Sequence, residues 1–333
     1  MLIRFARFSL LFVVSAVSIR ARATVVPSLD VPDLVERCDV IAVGRVMEVR
    51  EVGRRTIEDG VSAALMQAIL EVDKLLKGGS PVRDLNFNFV LPGAPIGYSG
   101  IGKGQYGIFF LDASSATYQV HDPYHPSLVA CPGAPKVGGS VLDQIVAELA
   151  HTAASGSGSS QVTAVHTLRT LRLPEATTAL RRAAASSDWR IKCAALAALL
   201  ARGEVSVLSE SVTLLLHPIP NIDPSSLDDI AYGIREGIKD AKAVAIIEPL
   251  LHDPHATYRL AAVTALRNTY DPRAIDALSE ALWDSDQRVL YQAVVGLGEI
   301  TRQDEWTPSI DYFAQNKSRF LQHWRDWSQS QKH

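Results

Sequence analysis

From Ser160 onward an alanine returns at nearly fixed intervals, and this recurrence restricts the fold more than any other feature of the chain. Five nine-residue windows align: SQVTAVHTL (160–168), IKCAALAAL (191–199), LDDIAYGIR (227–235), YRLAAVTAL (258–266) and VLYQAVVGL (289–297). Their starts lie 31, 36, 31 and 31 residues apart. The fifth position is always alanine: Ala164, Ala195, Ala231, Ala262 and Ala293. The ninth is leucine in all but the third window, where Arg235 stands. Second helices are expected in between, at EATTALRRAAASSD (175–188), AVAIIEPLLHD (243–253) and AIDALSEALWD (274–284), the last two again 31 apart. A fixed period with helical apolar spacing marks stacked supersecondary units. One helix pair cannot bury its apolar face alone, so neighbours stack into a continuous core. Helices approach closely where a small side chain sits at the crossing and larger residues pack around it. The expectation is an all-α solenoid of about five helix pairs over 161–302.

The residues at the helix starts follow a theme, D-x-x-(V/I)-(R/K)-x-x-A. Asp188, Ile191, Lys192 and Ala195 carry it in one unit, Tyr258, Arg259 and Ala262 in another, and Val289 and Ala293 in the last. This resembles HEAT repeats, of the short bacterial kind also seen in phycobilin lyases. The resemblance implies ion pairs between the Asp and Arg of adjacent units. Leu290 takes the basic position in the last unit, and Leu227-Asp228 departs from the pattern in the third.

The first third reads differently. CDVIAVGRVMEVREV, ALMQAILEVDKLLKG, LNFNFVLPG, YGIFFLD and TYQVHDP are short apolar or alternating runs broken by Gly, Pro, Asn and Asp. In LNFNFVL, Leu85, Phe87 and Phe89 fall on one face and Asn86 and Asn88 on the other. The fold class expected is therefore α+β and multidomain: a small antiparallel, barrel-like β domain over 24–137, then the solenoid. The V-x-G-x-V strand, the strand ending in L-K-G and the glycine-led apolar strand resemble secreted bacterial proteins with an OB-barrel-like or netrin-like domain. Tissue inhibitors of metalloproteinases share that fold and place an N-terminal cysteine on the protease zinc. In this chain Cys38 is not terminal, since cleavage of a leader would leave Thr24 first.

Gly102, Gly104 and Gly107 spell G-x-G-x-x-G. A dinucleotide loop must follow a strand and open a helix, because the pyrophosphate rests on the helix N-terminus. Here a Pro/Gly loop precedes the glycines and the short run IFFLD follows, so a turn into a buried strand is expected. In HDPYHP, Pro123 and Pro126 forbid the helix on which His121 and His125 would share a metal with Asp122. No C-x-x-C pair, nucleophile elbow or locally assembled catalytic triad occurs. No catalytic, cofactor or metal residue is nominated, and no cofactor is expected.

VLDQIVAELA (141–150) is spaced as a helix, and HTAASGSGSSQ (151–161) reads as a flexible connector, so 138–160 is taken as helix and linker. Residues 1–23 read as a secretory signal: Arg4 and Arg7, the apolar run 8–18, and Ala21-Arg22-Ala23 as the cleavage site. An uncleaved anchor is the alternative. No later run reaches the length of a membrane span. The expected destination is the periplasm or the outside, where Cys38 and Cys131 are candidates for a disulfide, while Cys193 lies in an apolar helix. The net charge of -3 provides no basic field for nucleic acid. Trp306, Phe313, Phe320, Trp324 and Trp327 are expected to cap the exposed end of the solenoid from 303–333.

The functional expectation is a non-catalytic exported scaffold that binds a protein partner through the solenoid. Tyr232, Arg235, Tyr258, Arg259, Arg288 and Tyr291 lie on or beside the first helices and are the candidate contact residues. The two resemblances imply alternatives: a secreted protease inhibitor, or a lyase-like enzyme acting on bilin chromophores.

Overall fold

A computed structural model describes residues 29–57, 62–79, 83–92, 99–114 and 117–331. The expected leader, 1–23, lies outside the described residues.

A short helix, α1 (Val31–Arg37), opens the fold. Asp30 caps it by accepting from the Asp33 amide, and Pro32 stands in its first turn, where a missing N–H costs nothing. Six strands follow: β1 (Val40–Thr56), β2 (Ser62–Lys77), β3 (Asp84–Pro92), β4 (Tyr106–Ala113), β5 (Tyr118–Val120) and β6 (Ser127–Val129). The pairings run in a closed circuit, β1–β2–β3–β5–β4 and back to β1, with β6 paired to β4. The sheet is mixed rather than purely antiparallel, because β3 and β5 pair in parallel, Phe87 with Tyr118 and Asn88 with Gln119. The reason is parity: a circuit of five strands cannot alternate direction at every step.

The first five residues of β1, 40–44, and the core of β4 are buried on both faces. Val40, Ala42 and Val46 of β1 and Phe109 and Leu111 of β4 face one core with Leu70, Leu85, Phe87 and Phe89. Ile41, Val43, Ile108 and Phe110 point the other way, into a core shared with the helices. The unbroken apolar runs VIAV and IFFL follow from this double burial. Gly44 and Gly107 face each other across the β1–β4 pair. A Cβ on Gly44 would lie 2.1 Å from the Glu71 carbonyl oxygen, so only glycine fits. Gly104 turns at φ +84 and its amide donates to the Val46 carbonyl. The glycine triplet is therefore a turn leading into a close-packed strand, with no helix behind it.

Helix α2 (Val141–Ser155) starts with a capping box between Ser140 and Asp143. It continues through His151–Ser155, and α3 (Ser159–Thr170) begins within the stretch expected as linker. Only Gly156–Gly158 separates the two helices. Ile145 and Leu149 of α2 share one core with Ile41 and Phe110 of the sheet and Val165 and Leu168 of α3. Lys74 of β2 pairs with Glu148 of α2 inside this junction.

The remaining helices are α4 (Pro174–Ala184), α5 (Trp189–Ala201), α6 (Leu208–Leu216), α7 (Pro224–Gly237), α8 (Val244–Ile247), α9 (Ala256–Asn268), α10 (Ile275–Ala281), α11 (Gln287–Thr301) and α12 (Ile310–Ser330). Pro249 falls where α8 gives way to a 3₁₀ turn, Glu248–His252. One layer stacks α3, α5, α7, α9 and α11 in sequence, and the intervening helices form the other. All five periodic alanines are fully buried on that first layer. At the α5–α7 contact glycine goes further: a Cβ on Gly237 would stand 1.9 Å from the Leu200 carbonyl oxygen.

Helix α12 closes the stack against α10 and α11, burying Phe313, Phe320 and Trp324. Trp306 stacks face to face on His323 with centroids 3.5 Å apart. Among the described residues no helix is long and apolar enough to cross a membrane.

Candidate partner-binding surface of the helical layer

The six candidate residues divide into two groups. Tyr258 is 4% exposed and packs against the His255 ring. Its hydroxyl is pushed up to about 12 by burial and by Asp228 and Asp253. Arg259 is committed to structure. Its guanidinium donates to both Asp284 carboxylate oxygens, at 2.7 and 2.9 Å, and to the Asp253 and Pro254 carbonyls. This rung ties α9 to the turn that begins the next unit through Asp284, while the theme aspartates Asp188 and Asp286 pair within their own helix starts, with Arg190 and Arg288. Burial raises the Asp284 carboxyl, yet the Arg259 bonds hold it below the ordinary range. Arg288 binds Asp286 at its own helix start, and Asp286, which caps α11, is held at about 2 by that partner. Tyr291 packs against Phe313 beneath α12 and donates to the Pro308 carbonyl. Tyr258, Arg259 and Tyr291 are committed to packing and the ladder between units, while Arg288 stays 62% exposed beside Asp286.

Tyr232 and Arg235 differ. Tyr232 is 41% exposed on α7. The Arg235 guanidinium carbon lies 4.9 Å from its ring centroid, and that of Arg169 lies 5.5 Å away. Arg169 comes from the last turn of α3, so the cluster spans the intervening α5. Arg235 spends its Nε on Glu236 at 3.1 Å. The Arg169 guanidinium has no hydrogen-bond acceptor among the described residues. Nor is it needed at the end of α3, because Arg202 already covers the Leu168, Arg169 and Leu171 carbonyls there. Arg169 escaped the sequence reading because it falls one position past the repeat window; its signal is a basic residue in the last turn of a first-layer helix.

The other motifs resolve into local bonds. His121 pairs with Asp112 and His125 with Asp122, each at 2.8 Å, so the two histidines take separate carboxylates. Among the described residues no three His, Cys, Asp or Glu side chains gather as a metal site. Cys38, Cys131 and Cys193 are free thiols, and the candidate Cys38–Cys131 disulfide is not formed. Cys38 is the buried C-cap of α1, its thiol pushed up to about 11 by burial. Cys131 sits outside that core, its amide donating to the Thr152 hydroxyl of α2.

A stack of alanine-seamed helix pairs defines an α-helical repeat protein. The family model for HEAT repeats matches residues 229–303, from α7 to the end of α11. No curated protein matches the chain. Among solved structures, an engineered protein is similar at 20% identity, over 49% of this chain and 82% of its own, with a TM-score of 0.36. The Escherichia coli protein YibA is similar at 18% identity over 50% of this chain, with a TM-score of 0.35. This chain spans 62% of the YibA structure.

Proposed function

We propose that the protein is an exported, non-catalytic scaffold that binds a protein partner through the first layer of its helical region. The observation that carries this reading is the stack α3–α5–α7–α9–α11, part of which matches HEAT repeats, with an uncovered tyrosine between two arginines on it. Stacked repeats present extended surfaces suited to recognition. Exposed tyrosine and arginine are the side chains that concentrate binding energy at interfaces. The leader-like residues 1–23 direct the chain out of the cytoplasm and are removed before Thr24, and the β domain, of OB or netrin type, serves as the base of the helical stack.

Photo-crosslinking in the native host tests the scaffold role. A photoreactive residue placed at His166 or Tyr232 on the first layer should yield a discrete protein adduct, and one at Trp283, just past α10 and against Arg325 of α12, should not. Absence of adducts from every first-layer position overturns the reading. Mass spectrometry of the protein's N-terminus tests export, with Thr24 expected first in an extracytoplasmic fraction.

A further inference from the structure

We infer that Arg169, Tyr232 and Arg235 form a docking site for an acidic, extended peptide segment of the partner. The inference rests on the scaffold reading above and names the chemistry of its contact. Two guanidiniums from helices that are not neighbours converge on one half-exposed ring. Stacking on an aromatic fixes a guanidinium while leaving its N–H donors directed outward. Arg169 has none of these donors used among the described residues, and Arg235 has only Nε used. A planar fork of donors matches a carboxylate in bidentate geometry. The carbonyls that end α3 are already covered by Arg202, so local capping does not account for Arg169.

The surroundings narrow the ligand further. Asp228 and Asp229 sit one turn earlier on α7, both exposed to solvent. Carboxylates are therefore repelled from the N-terminal half of α7 and drawn to its C-terminal half. The site is a short stripe across the ends of α3 and α7, which suits two or more acidic residues of an extended segment.

The test is selection of a random peptide library against the full chain, alongside Arg169→Gln, Arg235→Gln and Tyr232→Phe variants. Circular dichroism verifies that each variant keeps its helix content. The expected result is enrichment of peptides with paired Asp or Glu. Their affinity should fall about tenfold or more with either Gln variant, the loss expected for a central interface contact, and hold with Tyr232→Phe. Enriched peptides that are no more acidic than the library, or that bind the Gln variants equally, overturn this inference and leave the scaffold reading standing. Enrichment of nothing counts against both. Binding of phosphatidylglycerol vesicles with no acidic peptide selected overturns it in favour of a membrane surface.

Discussion

Lys74 of β2 and Glu148 of α2 form an ion pair whose side chains are 15% and 3% exposed. Lys74 also donates to the Ala134 carbonyl, so one ammonium ties together the sheet, the segment after β6 and the first long helix. The second Glu148 oxygen has no hydrogen-bond partner among the described residues. Removing one member of such a pair strands the other charge without compensation.

Glu148→Gln or Lys74→Met should each destabilise the protein by about 3 kcal/mol, the lower end for breaking a buried pair. The double variant Lys74→Met with Glu148→Leu should recover most of the loss. Urea unfolding of the four proteins provides the comparison.

Gly237→Ala should be among the costliest single-methyl additions in the chain. The new Cβ meets backbone of α5, which cannot move aside as a side chain would. A loss of roughly 1–3 kcal/mol is expected from overpacking. Gly102→Ala, whose Cβ meets no atom of the described residues within 4 Å, should leave the melting temperature unchanged and serves as the control.

His323 is held below its ordinary value by burial, against the opposite pull of Glu305 and Asp326. Its folded value lies below its unfolded one. The contribution to stability is therefore complete above the unfolded value, about 6.5, and is lost as pH falls through the folded value. Fluorescence of the tryptophans near α12 should report loosening of the helix in mild acid, and His323→Gln should abolish that step.

A thiol reagent should find one accessible group in the native protein. Cys38 and Cys193 are buried, each thiol pushed up to about 11 by burial, whereas Cys131 is only half-buried. Cys131 should react first, and the other two only after denaturation. A protein isolated with Cys38 and Cys131 joined would yield no native reaction.

The alanine period was readable because each unit repeats the same requirement for a small buried side chain. All five alanines are fully buried, including Ala231 in the window that departs most. The junction between sheet and helices was not readable in the same way. HTAASGSGSS has the composition of a linker, yet Thr152 and Ala153 are buried, Ala153 on the shared core, while Ala154 and Ser155 face solvent. Such a half-buried helix end has too few apolar residues to show a period. Helix α1 was also missed, although Asp30, Pro32 and Asp33 form a helix start. At the candidate site Tyr232 and Arg235 were visible as residue types, but Arg169 lies more than sixty positions away and reaches Tyr232 only through the stacking of α3, α5 and α7.

The double burial of β1 and β4 also sets an order on biosynthesis. Once Ala113 has been made, the sheet's second face, with Ile41, Val43, Ile108 and Phe110, is synthesised with α1 as the one helix of its core yet in place. Its cover, Ile145 and Leu149, emerges some thirty residues later. During that interval the finished strands still carry an apolar face whose burial waits on α2.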